Sequence, residues 1–122
     1  MKIRADKIVN GPPHRLNAED VRLILATVPP AWIEGLVAVR LANGPGPRAY
    51  LMHGEGRLII YSRYATERQI LRKILSALAA PSLNITNVVA RSPSKPEQRR
   101  IDHFIQPILD KLLAAMTTPP FK

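Results

Sequence analysis

The sequence contains no cysteine, which excludes disulfides, thiolate zinc sites and cysteine nucleophiles. Aromatic residues are sparse at 5%, so the core is expected to be aliphatic. No apolar run approaches the ~20 residues that a membrane-spanning helix needs. The opening Met1-Lys2-Ile3-Arg4 is not followed by the apolar stretch of a secretory signal. With the lack of cysteine, this points to a cytoplasmic protein. Acidic residues are few: 9 Asp+Glu stand against 18 Lys+Arg, a formal net charge of +9. At 122 residues the length is that of a single domain, 1–122.

The charge that is present is unevenly placed. Residues 63–100 carry eight basic residues against Glu67 and Glu97, while residues 101–122 are balanced. A concentrated positive region favours an anionic partner, either nucleic acid or an acidic protein. The candidate anion-binding residues are Arg68, Arg72, Lys73, Arg91, Lys95, Arg99 and Arg100. The alternative is a solvated helical face, because charge runs are usually that. No aromatic is interleaved with this cluster, as a surface that stacks single-stranded bases requires.

Local patterns set the order of elements. Residues 1–16, broken by Gly11-Pro12-Pro13, read as an irregular arm. Asn17 caps a first helix over 18–28, with Glu19 and Asp20 in its first turn and Pro29-Pro30 after its end. Leu36 to Ala42 reads as a strand, and Ala49–His53 with Arg57–Ser62 reads as a hairpin about Gly54-Glu55-Gly56. Thr66 and Gln69 form a capping box opening a second helix, whose apolar stripe is Ile70, Leu71, Ile74, Leu75 and Leu78. Residues 84–90 fit either a short strand or an extended connection. Ser94 and Glu97 box a third helix that contains Pro107, and 117–122 reads as a frayed tail. The expected class is α+β: a small, mostly antiparallel sheet, one strand plus the hairpin, packed against about three helices.

Motifs that carry chemistry are missing. His14, His53 and His103 match no zinc-ligand spacing. Asp102 and His103 are helical neighbours and point about 100° apart. No Gly-x-Ser-x-Gly elbow is present, and Gly54 and Gly56 precede a strand, so they build a turn and not a phosphate loop. Neither a metal nor a cofactor is expected.

Leu36 through Arg63, followed by the helix Thr66–Ala80, resembles the strand, hairpin and active helix of the small zincin-type metalloproteases. In those proteins the active helix carries His-Glu-x-x-His and a further helix follows. In that register Ser76, Ala77 and Ala80 take the places of the first histidine, the glutamate and the second histidine. Two histidines four apart bind zinc from one helical face, and the glutamate takes a proton from the metal-bound water. Serine and alanine do neither. The resemblance therefore implies a zincin-like fold without catalysis, with Ser76 and Ala80 facing away from the core stripe. The expected function is a non-enzymatic binding or interaction module. The alternative is a nucleic-acid-binding protein that uses 63–100.

Overall fold

Asn17 accepts from the Asp20 N–H (2.9 Å) while the Asp20 carboxylate accepts from the Asn17 N–H (3.0 Å). This reciprocal box starts α1, Ala18–Thr27, by satisfying N–H groups that a helix start leaves orphaned. Thr66 and Gln69 do the same for α2, Glu67–Ala79. Ser94 and Glu97 do so for α3, Lys95–Thr117, which carries Pro107 in its interior. A computed structural model of the chain describes residues 1–85 and 94–117, apart from the side chains of His53 and Thr117. The expectations for 86–90, for Arg91 and for the tail 118–122 lie outside the described residues.

Among the described residues four strands form one mixed sheet in the order β1-β2-β4-β3: β1 Lys2–Ala5, β2 Ala38–Leu41, β3 Arg48–Met52 and β4 Arg57–Tyr61. The hairpin is β3–β4, antiparallel with Arg48 opposite Tyr61 and Met52 opposite Arg57. Two expectations are corrected. Residues 2–5 are a strand within the supposed irregular arm, and the sheet is not mostly antiparallel, because the β1–β2 and β2–β4 ladders are both parallel. The physical reason is the same for both. β1 has four residues and one large apolar side chain, Ile3, so it has little local strand signal. Its conformation comes from pairing with β2 across α1, a contact between residues far apart in sequence.

Side chains alternate across the strands. Ile3, Val39, Leu41, Leu58, Ile60 and Leu51 face inward and join one core with α1, α2 and α3. That core is aliphatic, with Trp32 the one buried aromatic among the described residues, tilted against Phe104 of α3 at 5.4 Å between ring centroids. α2 lies between the sheet and α3. From Ile74 to Ala80 every α2 residue except Ser76 is buried, together with the cap residue Ala80. The helices thus cover one face of the sheet.

The start of the chain is anchored by polar contacts at the end of β4. The buried Arg63 guanidinium donates to the carbonyls of Asn10, Pro12 and Asn43. Ser62, fully buried, accepts at Oγ from the backbone N–H of Arg15 (3.0 Å) and Leu16 (3.4 Å). These bonds satisfy loop carbonyls and N–H groups that no ladder reaches.

Candidate functional site

Ser76 is half-buried, while Ala77 and Ala80 are only 8% and 1% exposed. Ala80 was expected away from the core, but it lies within it, because α3 covers the side of α2 that the sheet leaves open. An open depression of about 260 Å³ does lie at the C-terminal end of α2, lined by Trp32, Leu36, Leu51, Leu78, Pro81 and Ser82. Neither Ser76, Ala77 nor Ala80 lines it. Among the described residues no group of three or more His, Asp or Glu side chains is placed to hold a metal ion. His103 is exposed, and His14 donates from Nε2 to the Asp6 carbonyl at 2.8 Å.

The basic candidates of 63–100 divide by environment. Arg72 of α2 reaches across to α3 and donates from Nε and Nη2 to the two carboxylate oxygens of Asp102 (3.0 and 2.8 Å). Gln98 donates to the same carboxylate at 2.9 Å. The Arg72 hydrogen bonds hold the Asp102 carboxyl below its ordinary value against the opposing effect of burial. Arg72 therefore clamps two helices, with its charge matched. Arg100 donates to the Leu83 carbonyl at 3.3 Å, and Arg63 is occupied by the three carbonyls described above. Arg68, Lys73, Lys95 and Arg99 are exposed.

A second basic surface was not singled out by sequence. On the face of the sheet opposite the helices, the register aligns Lys2, Ala38, Arg57 and Met52 in one row and Arg4, Arg40, Ile59 and Tyr50 in the next; Tyr61 and Arg48 follow. Lys2, Arg4, Arg40, Arg48 and Arg57 are exposed, and Tyr50, Tyr61 and Ile59 are half-buried. Two carboxylates answer these five cations. Asp6 takes a two-pronged bond from Arg40 (3.0 and 2.8 Å), and Glu55 meets Arg57 at 3.2 Å. The bond from Arg40 holds the Asp6 carboxyl below its ordinary value.

The aromatic pair on this face is fixed in place. The Tyr50 and Tyr61 rings meet edge to face at 6.0 Å between centroids, and the Arg48 guanidinium lies 4.5 Å from the Tyr61 centroid. Arg48 is held there by its bonds to the Pro45 carbonyl (3.2 and 3.1 Å). Gly44 makes room for the arrangement, because a Cβ at that position would come within 2.8 Å of the Tyr61 ring. The signal that locates this face is period-two alternation: Arg57, Ile59 and Tyr61 fall on one side of β4, and Arg48, Tyr50 and Met52 on one side of β3.

Comparison of the chain with protein-family models, with curated proteins and with solved structures gave no significant match.

Proposed function

We propose that this chain is a non-enzymatic binding module, zincin-like in its order of elements, that takes an anionic partner on the outer face of its sheet. The observation that carries this reading is the one-sided sheet. The described helices lie on one side of it, and the other side presents Lys2, Arg4, Arg40, Arg48 and Arg57 to solvent. Five cations on one surface raise the local concentration of anions and speed their encounter. The zincin-like part rests on the succession of α1, β2, the β3–β4 hairpin, α2 and α3, the order the resemblance implies. The burial of Ala77 and Ala80 weighs toward a binding role, because neither lines the depression at the end of α2. A second reading places the partner on the helices, favoured by the exposure of Arg68, Lys73, Lys95 and Arg99.

Retention on immobilised heparin tests the proposal. The protein should bind at low salt and elute as salt rises, since each neutralised anion releases counterions. Lys2→Glu with Arg4→Glu should elute markedly earlier than the parent. Flow-through of the parent at low salt overturns the proposal. A loss confined to Arg68→Glu with Lys73→Glu moves the partner to the helices.

A further inference from the structure

We infer that the anion taken by the outer sheet face is a single-stranded nucleic acid, its phosphates held by the basic residues and its bases stacked at Tyr50 and Tyr61. This rests on the proposal that the face takes an anionic partner, and it adds the partner's chemistry.

Three observations select that partner. First, aromatic and cationic side chains interleave on this face. Arg48 lies between Tyr50 and Tyr61, within 4.5 Å of the latter's centroid and 3.5 Å from the former's hydroxyl, and Arg40 is one strand away from Tyr61 on the same side. Acidic peptides are satisfied by charge alone. A single strand needs π-surfaces for its bases as well, and every base offers a face to stack. Arg48 contributes in two ways, as a cation and as a flat guanidinium against which a base can lie.

Second, the breadth of the sheet does not fit the major groove of a duplex. Four strands span about 14 Å across and each is about 15 Å long. The major groove of B-form DNA, about 12 Å wide, admits a helix or a two-stranded ribbon, not a sheet of this breadth. A single strand can instead lie across such a surface with about two or three bases stacked, as on other four-stranded RNA-binding sheets.

Third, the platform is built in advance. Tyr61 rests against Gly44, Arg48 is tied to the Pro45 carbonyl, and Arg40 is aimed by Asp6. Groups already fixed lose less conformational freedom on binding. Lys2 and Arg4, on edge strand β1, extend the charge away from the tyrosines. The backbone of a strand leaving the stacked bases has cations to follow in that direction.

The test uses the intact chain and fluorescence anisotropy with four labelled probes: a 12-nucleotide oligothymidine, an oligouridine of the same length, a 12-base-pair duplex and a poly-glutamate of similar charge. Both single strands should bind more tightly than the duplex or poly-glutamate. Three to four phosphates neutralised give a slope of about −2 to −3 in log K against log salt. Tyr50→Leu should weaken the single strands by about tenfold while leaving heparin retention in place. Without any variant, the Tyr50 and Tyr61 ring-proton resonances should move upfield on addition of oligothymidine. Equal affinity for poly-glutamate with no ring-proton shift overturns the inference, yet leaves the anionic-partner proposal standing. Tighter binding of the duplex, or binding abolished by Arg68→Glu with Lys73→Glu alone, also overturns it. No retention on heparin removes both.

Discussion

Ile59 and Ile60 are the same side chain in consecutive positions of one strand, yet they belong to different parts of the molecule. Ile60 points toward the helices and is fully buried; Ile59 points outward between Arg40 and Tyr50 and is half-buried. The comparison extends along every strand: Val39 against Arg40, Leu58 against Arg57, Ile3 against Arg4. One face holds the fold together and the other is turned to solvent. The two can therefore be altered almost independently. Replacing each isoleucine by alanine tests the division between the two faces directly. Ile60→Ala should cost ~2–5 kcal/mol, because it leaves a cavity in a core that cannot fully collapse. Ile59→Ala should cost about 1 kcal/mol or less, with only part of its side chain removed from water. Denaturant midpoints measured on both variants give the ratio, and similar losses would mean that the outer face is covered.

Much of this division was legible in the strand sequences, and some was not. The three capping boxes at Asn17, Thr66 and Ser94 are local, with partners three residues apart, and the sequence located all three helix starts within a residue or so. The hairpin was equally readable, since Gly56 follows its turn and β3 and β4 adjoin in the chain. β1 was missed because its strand character is supplied by β2, more than thirty residues away, and parallel pairing leaves no turn signal. The missing β1 also hid the extent of the basic face, half of whose first two rows come from β1 and β2. Reading charge by position along the chain drew attention to 63–100. There, Arg63 and Arg72 prove to be committed to internal contacts. Reading charge by alternation brings together Lys2, Arg4, Arg40, Arg48 and Arg57 with two tyrosines.

Two positions of α2 that the zincin register treats alike also differ in their surroundings. Ser76 is half-buried and Ala80 is 1% exposed, so an imidazole has room at one and not at the other. Ala80→His should cost ~1–3 kcal/mol through overpacking, with a further loss for a ring nitrogen that finds no partner. Ser76→His should stay within about 0.5–1 kcal/mol. Thermal unfolding of the two single variants measures the difference. Equal tolerance would show that α3 does not close over Ala80, and would reopen the case for rebuilding a zinc site on this helix with Ala77→Glu.

The smallest effect expected concerns the helical side, where Arg72 joins α2 to Asp102 of α3. Its sign follows from the direction in which the Asp102 carboxyl is shifted. Hydrogen bonds from Arg72 foremost, and also from Gln98, hold it below the ordinary value of 3.8. The folded protein thus binds that proton less readily than the unfolded chain. The contribution is complete above about pH 4–5 and is lost as pH falls through the lowered value. Arg72 and Asp102 side chains are 45% and 37% exposed, so solvent screening limits the pair to about 0.5 kcal/mol or less. Arg72→Gln should therefore lower stability slightly at neutral pH and flatten its decline as pH falls below about 4. Urea midpoints for parent and variant should converge at the acid end. The outer-face pair of Asp6 and Arg40 has the same sign, so Arg40→Gln provides the comparison on the other side of the sheet. A parent and an Arg72→Gln variant that decline in parallel throughout would mean that this bridge does not hold α2 to α3 in solution.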